Sequence, residues 1–527
     1  MSGELKEECG VAAIVDLKPR ENNKPFDLVS LLYTLLIKQQ NRGHLAAGIA
    51  TFNKSRTRIL ERYRALGTVN EAFRASDPKK FNALKEEFNG SVGIGHVRYG
   101  TFGKNDVECA QPFLRRHGKL SKKFAIAFNG NLANYAQLEA VLKREHDYSV
   151  ESKTDTEIIM HNLALKIKSG ARDWKEIFGH LADICDGAYN IVFLNGKGDL
   201  IISRDPYGFR PLCYGISPDK RIFAAASESV ALERIGIRQF CDVEPGHLIH
   251  VHDGEVDIIK YTQPKAISHC MFEWIYFANI CSVVNGRAVS DVRFRLGREL
   301  AKLEKEKLKK QGITVDKQFK ESRVICCVPN SSIPVSEGFG FEMGLPNSAG
   351  LIKIDAAART FISHKKDKST QVKNKFDVNR AVLQDKIVYL IDDSIVRGNT
   401  SKAIVDYVKN IGGAKEVHVR AACPPVAYPC FYGIDMSTIS ELVAGKATLD
   451  NTPHDEMVKG ISSFIGADSL AYQTFEGLIK GIGLSRKNLC MACLDGNYPT
   501  EHGRLLKEKA AANVSDKKET NRTYELV

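Results

Sequence analysis

Three sets of residues carry types and spacings suited to chemistry. The first begins at Cys9, in Glu7–Glu8–Cys9–Gly10–Val11, and continues through Arg42–Gly43, Arg98–Tyr99–Gly100–Thr101, Asn129–Gly130 and Thr154–Asp155–Thr156–Glu157. Hydrolysis of a glutamine-type amide needs a thiol nucleophile, a base, donors for an oxyanion and a clamp for the charged ends of the substrate. Cys9 is the candidate nucleophile. If residues 1–8 are removed, its own α-amine, with an ordinary pKa of about 7.7–8.0, can act as the base. The side-chain amide of Asn129 and the backbone N–H of Gly130 suit the oxyanion. Arg98 can fork onto a substrate carboxylate, and Asp155 can pair with a substrate ammonium.

The second set is Ile387–Val388–Tyr389–Leu390–Ile391–Asp392–Asp393–Ser394–Ile395–Val396–Arg397–Gly398–Asn399–Thr400. It reads as a buried strand, two carboxylates, a glycine loop and the start of a helix. Carboxylates at the carboxyl end of a parallel strand face the ligand crevice. They can engage a ribose diol or hold Mg²⁺. The loop amides and Thr400 make a phosphate site at a helix N-terminus. The lysine of a Walker loop is missing, which argues against an ordinary ATPase. The third set is Cys490–Met491–Ala492–Cys493. One CxxC leaves zinc, a redox pair and chance all open.

These groups need elements to hold them. Short apolar strands are expected at Cys9–Ile14, Val92–His96, Ala125–Phe128, Tyr189–Leu194, Leu200–Arg204 and His247–His252. Asn195–Asp199 reads as a hairpin turn between two of them. Leu28–Gln40 has helical spacing, and Thr154 or Asp155 is a plausible cap for the helix that follows. Beyond a soft boundary near 255–268 the pattern changes. Val324–Val328 and Ile387–Ile391 are continuous apolar runs, each with a helical segment after it (Ser336–Met343 and Ser401–Ile411), which implies a parallel sheet. An α+β domain followed by an α/β domain is the expected architecture.

The chain has 527 residues, too many for one core. No run of 18 apolar residues appears, and residues 1–8 lack the features of a secretory signal, so a cytoplasmic protein without membrane contact is expected. The net charge of +12 is spread along the chain without a nucleic-acid motif, so no nucleic-acid partner is expected. The 13 cysteines, odd in number, point away from a disulfide framework.

The order Cys9, Arg98, Asn129–Gly130, Asp155 resembles the N-terminal-nucleophile glutamine amidotransferases, and within them the glutamine phosphoribosylpyrophosphate amidotransferases. Gln111–Pro112–Phe113, Asp186–Gly187–Ala188–Tyr189, Arg204–Leu212 and Ser227–Glu228–Ser229 extend the resemblance, which runs from Cys9 to about Pro499. It implies a propeptide over 1–8, an Ntn sandwich over 9–262 and a type I phosphoribosyltransferase domain over 263–500; the polar, charged composition of 501–527 predicts a disordered tail. The resemblance implies that Arg42 and Thr101 join Arg98 and Asp155 around glutamine. By resemblance, Asp392 and Asp393 contact ribose and Mg²⁺. Ser394, Ile395, Val396, Arg397, Gly398, Asn399 and Thr400 cradle the 5′-phosphate. Ser331 contacts the metal, and Arg359 opens a mobile loop. Cys270, Cys430, Cys490 and Cys493 match the positions that ligate a [4Fe–4S] centre in one branch of the family. The implied reaction uses glutamine and phosphoribosylpyrophosphate to give 5-phosphoribosylamine, the first step of purine synthesis. One Mg²⁺ and one cluster per subunit, feedback by purine nucleotides and a homotetramer are implied with it. Asn41–Ala46 and Lys353–Ala358 depart from the family pattern. They keep two alternatives in view: an amidotransferase acting on another phosphorylated sugar, and a non-catalytic regulatory paralogue.

Overall fold

The central strands of the first half are buried along nearly their whole length, which requires cover on both faces of each sheet. The computed structural model describes residues 9–18, 26–99, 106–354, 375–436 and 438–515. Residues 1–8, Thr101, Arg359 and the last residues of the tail lie outside that set. In chain order the strands are β1 Gly10–Asp16, β2 Ala46–Phe52, β3 Leu60–Leu66, β4 Val92–Arg98, β5 Phe113–Arg115, β6 Phe124–Leu132, β7 Gly187–Asn195, β8 Leu200–Arg204, β9 Cys213–Ile216, β10 Ile222–Ala226, β11 Phe240–Asp242, β12 His247–His252 and β13 Glu255–Lys260. They form one sheet in the order β11-β9-β10-β1-β4-β2-β3 and a second in the order β13-β12-β8-β7-β6-β5. Val11, Ala13, Ile94, Ala125, Val192 and Ile202 fill the layer between them. Leu28, Leu32 and Leu36 of the helix Leu28–Ile37 cover the outside of the first sheet. The helices Asp155–Lys168 and Trp174–Ile184 cover the second. The result is a four-layer α-β-β-α sandwich. The expected hairpin is present: Asn195 Oδ1 accepts from the Lys197 and Asp199 amides at 2.9 and 3.0 Å, a side-chain-closed turn.

The second half continues with β14 His269–Cys270, β15 Val283–Val284, β16 Arg287–Ala288, β17 Arg323–Cys327, β18 Leu351–Lys353, β19 Phe376–Val378, β20 Ile387–Asp392, β21 Glu416–Ala421, β22 Ser469–Tyr472 and β23 Leu489–Cys490. A parallel sheet runs β17-β20-β21-β22. The helix after β17 spans Ile333–Met343, and its glycines have a packing reason. A Cβ on Gly338 would lie 1.9 Å from the Phe294 carbonyl, and one on Gly297 would lie 1.9 Å from the Val335 carbonyl. Two helices thus cross with their backbones in contact, a closeness worth more here than helix propensity.

One expectation needs correction. Residues 501–515 are not a disordered tail but the helix Glu501–Ser515. Leu506 and Ala510 are buried in the second core, and Asp186 accepts the His502 amide at 3.0 Å. Sparse apolar residues at helical spacing sufficed because a preformed surface met them. The stretch around the CxxC enters the same core through Leu489, Met491, Ala492, Leu494 and Tyr498.

Candidate active sites and the cysteine centre

Cys9 precedes the first residue of β1, whose neighbours in the sheet are β4 and β10. This placement makes Arg98 and Ser227 its local environment. Gly10 pairs with Val97, and the half-buried Cys9 thiol donates to the Tyr99 carbonyl at 3.6 Å. Ser227 follows β10. Its hydroxyl accepts from the Val11 amide at 3.1 Å and from the Asn129 side-chain amide at 3.4 Å. One serine therefore ties the nucleophile strand to the expected oxyanion residue. Arg98 is buried at the end of β4. Asp155 is buried at the N-terminus of its helix, which Thr154 caps through the Glu157 amide. Asp155 Oδ2 accepts from the Leu132 amide at 3.2 Å, three residues past Asn129 on β6.

Gly130 needs its hydrogen side chain. Its φ is +154°, and a Cβ would lie 1.9 Å from the Ala188 carbonyl. On the other side it meets the second half: a Cβ on Gly433 would sit 3.3 Å from the Gly130 carbonyl carbon. Next along β6, Asn131 Nδ2 donates to the Phe431 carbonyl at 3.1 Å. The oxyanion strand is thereby seamed to the loop that carries Cys430.

Arg42 stands beside the nucleophile strand, its side chain 3.3 Å from where a Cβ on Gly10 would lie. Its guanidinium is fully buried in ion pairs at 2.7 Å with both Glu228 and Glu273. Arg210 extends the network, with Glu273 at 3.7 Å and the Tyr432 carbonyl as partners. The sequence singled out Ser227–Glu228 only as matching residues, and nothing in the sequence named Glu273 as the partner.

His96 is a site residue that the motif reading passed over. It lies one layer behind the site, its Nε2 3.1 Å from the Phe128 carbonyl. Burial drives its pKa down to about 3, so the ring is neutral and donates to that carbonyl. Gln111 grips the same residue, accepting from the Phe128 amide at 2.7 Å. Both fix the backbone that presents Asn129. His96 closes an expected strand and Gln111 opens the quoted Gln111–Pro112–Phe113, but neither was given a role from the sequence.

At the second site, β20 ends at Asp392, and Asp393 follows. Both are buried at the carboxyl end of a parallel strand. Ser331 Oγ donates to one oxygen of Asp393 and Ser394 Oγ to the other, the latter at 2.7 Å. The fold thus joins two segments 62 positions apart that the sequence read separately. Gly398, with φ +72°, turns the loop into the helix Asn399–Asn410. Within the loop, the Ile395 and Val396 side chains are buried, which leaves their backbone to face a ligand. The Arg397 side chain is tied to Glu441 and to the Asp435 carbonyl.

Cys270, Cys430, Cys490 and Cys493 line one largely closed cavity with Tyr432 and Tyr498. Cys270 and Cys490 are register partners in the β14–β23 pair. The Cys493 carbonyl accepts from the Ala427 and Tyr428 amides, both at 3.0 Å, which draws in the segment before Cys430. Burial pushes the Cys490 thiol up to about 12, with Cys430 adding to it. Burial, then Cys430, Cys270 and Cys490, push Cys493 well up. None of the 13 cysteines is in a disulfide. Among the described residues, no helix is long and apolar enough to cross a membrane.

Comparison with known proteins places this geometry. A glutamine amidotransferase domain model matches residues 46–248. The chain is 36% identical over 498 residues to an amidophosphoribosyltransferase of Methanothermobacter thermautotrophicus, covering 94% of this chain and 95% of that one. It is 33% identical over 502 residues to the amidophosphoribosyltransferase of Bacillus subtilis, covering 94% and 95%. The solved glutamine phosphoribosylpyrophosphate amidotransferase of B. subtilis, in complex with ADP and GMP, aligns with a TM-score of 0.77 at 32% identity over 94% of this chain and 98% of that one. A structure described as the allosteric regulatory enzyme of purine biosynthesis aligns at 0.78 and 33% identity, covering 94% and 96%. Two catalytic halves in one seamed chain, matched end to end by these relatives, settle the kinship: this chain belongs to the amidophosphoribosyltransferase family.

Proposed function

We propose that Cys9, freed of residues 1–8, attacks the glutamine side-chain amide and passes the released ammonia to phosphoribosylpyrophosphate in the second half. The products are 5-phosphoribosylamine, glutamate and pyrophosphate. The α-amine of Cys9 takes the thiol proton and returns it to the leaving nitrogen. The carbonyl oxygen, now an oxyanion, accepts from Gly130 N–H and from the second N–H of the Asn129 amide, the first being held by Ser227. Water then releases glutamate from the thioester. Arg98 and Asp155 hold the two charged ends of the amino acid. The observation that carries the reading is the seam itself: the strand bearing both oxyanion donors packs directly on the second half through Asn131 and Gly433. Ammonia released there need not enter bulk water.

In the second half, Asp392 and Asp393 orient the ribose. The loop from Ser394 to Thr400 takes the 5′-phosphate on its amides and hydroxyls. Ser331 and the two aspartates present oxygen donors suited to Mg²⁺, which would supply charge neutralisation for the pyrophosphate leaving group. Four buried thiols gathered in one cavity fit a metal centre, because their anionic forms would otherwise repel one another in a dry site. Cys270, Cys430, Cys490 and Cys493 would hold a [4Fe–4S] cluster that ties β23 to the seam. Purine nucleotides act as feedback inhibitors, a reading supported by the ADP and GMP bound to the B. subtilis relative. A homotetramer is proposed on the family resemblance.

Purified protein should release glutamate from glutamine only when phosphoribosylpyrophosphate is present. Hydrolysis indifferent to the sugar, or none from mature protein, overturns the reading. Intact mass should start the mature chain at Cys9. Metal analysis after anaerobic purification should give about four irons per chain; one zinc and no iron would refute the cluster alone.

A further inference from the structure

Far from both sites, at the β13 edge of the second sandwich sheet, two histidines stand on one face. His250 and His252 are two apart on β12, so their side chains share a face. His250 pairs across the strands with Asp257 of β13, which puts that carboxylate on the same face. Ligand atoms of His250, His252 and Asp257 all lie within 4.8 Å of one another. His252 Nε2 is 3.0 Å from Asp257 Oδ2. A fourth group arrives from the neighbouring hairpin, where Asp199 Oδ1 lies 4.0 Å from His250 Nε2. The two imidazoles stack at 4.2 Å between centroids, and the Trp174 ring closes over His250 at 5.9 Å.

We propose that Asp199, His250, His252 and Asp257 form a binding site for a divalent transition cation of the zinc type. An ordinary ion pair accounts for His252 and Asp257 but not for His250. Its Nε2 is buried, makes no hydrogen bond and faces a carboxylate just beyond bonding distance. A metal with ligands at about 2.0–2.2 Å satisfies all four groups at once, because tetrahedral vertices around it lie about 3.3–3.6 Å apart. The ligand atoms of His250, His252 and Asp257 already lie within 4.8 Å of one another, and Asp199 approaches His250 at 4.0 Å. Imidazole with carboxylate selects zinc, nickel or copper over magnesium or calcium, which prefer all-oxygen shells. The site stays open to an entering ion, since the Asp257 side chain is 53% exposed. Its effect is mechanical. The ion would bind the edge strand β13 to the β7–β8 hairpin across β12, adding a side-chain tie to strands already paired through their backbones.

The test titrates zinc chloride into full-length, cluster-loaded protein by calorimetry, comparing the unsubstituted chain with His252→Gln, Asp257→Asn and His247→Gln. His247 lies on the same strand with opposite parity and serves as control. Metal taken up by free thiols is common to all four proteins and cancels. The unsubstituted chain and His247→Gln should bind one zinc per chain more than the other two. They should also show a zinc-dependent rise in Tm that His252→Gln and Asp257→Asn lack. Identical isotherms for all four proteins would overturn the site, as would an equal loss in His247→Gln. Both ligand variants are at partly exposed positions away from either active site, so glutaminase activity without added zinc should stay unchanged and report intact folding.

Discussion

The two catalytic halves solve different problems with different materials. The glutaminase site is made of backbone and buried pairs. Gly130 is wedged between Ala188 and Gly433, Ser227 bridges Val11 and Asn129, and Arg42 is sealed between Glu228 and Glu273. The phosphoribosyl site is made of side-chain oxygens and loop amides at the open end of a parallel sheet, with Ser331 and Ser394 steadying Asp393. Amide hydrolysis needs donors fixed before charge develops, since preorganised dipoles act without reorganising. A sugar pyrophosphate brings its own charge and asks for counter-charge and closure instead. The halves therefore differ in what they tolerate: the first is sensitive to volume and pairing, the second to charge.

The sharpest separation comes from one substitution on each side. Cys9→Ala should lower glutamine-dependent product by about 10³-fold or more while ammonia-dependent product stays within a few-fold. Asp393→Asn should lower both by about 10²-fold, because it acts after the nitrogen source has ceased to matter. Parallel assays with glutamine and ammonium salt check the pair. If Cys9→Ala loses ammonia use as fully as glutamine use, the halves are not separable in this way.

Stability offers the next comparison. Two buried arginine networks differ in reach: Arg42 of the first half pairs with Glu228 and, across the seam, with Glu273, whereas Arg420 pairs with Glu304 within the second half at 2.8 Å. Removing one partner strands buried carboxylate, at a cost of about 3–5 kcal/mol. Arg42→Met and Arg420→Met should both lower the urea midpoint accordingly. Only Arg42→Met should also slow glutamine hydrolysis in the folded protein, because Glu273 lies across the seam. Equal losses of glutaminase activity would break the distinction.

His96 gives the first half a pH signature. Its pKa is about 3 when folded against 6.5 for a free ring. The unfolded chain thus takes up a proton that the folded protein refuses between these values. Stability from the neutral ring is fully present above 6.5 and is lost as pH falls toward 3, at up to about 1.4 kcal/mol per unit. His96→Gln should flatten the urea-midpoint profile on the acid side of neutrality relative to the unsubstituted chain, and an unchanged slope would remove His96 from the account.

The smallest expected effect tests the seam. Asn131→Ala removes one hydrogen bond to the Phe431 carbonyl, about 1 kcal/mol. Stability should fall by that amount, and the ratio of glutamate to phosphoribosylamine should rise above one as ammonia escapes. A ratio held at unity would show that the seam does not depend on this contact.

Much of the plan was legible in the chain. Leu200–Arg204 and His247–His252 matched the observed strands, since alternation and turn residues set them locally. The run from Ile387 to Thr400 announced strand, loop and helix because each of its residues answers a local backbone demand. The family and its two-domain order followed from such stretches. Other matters depended on partners distant in sequence. Nothing near Arg42 reveals that Glu273 would take its guanidinium, and nothing near Arg397 reveals Glu441. The helix Glu501–Ser515 looked too polar to fold, yet Leu506 and Ala510 found a surface already assembled from residues hundreds of positions away. Local sequence determines what a segment can form and which groups it offers. Burial decides which charges pair and which polar ends become helix, because desolvation acts on the assembled neighbourhood and not on the segment.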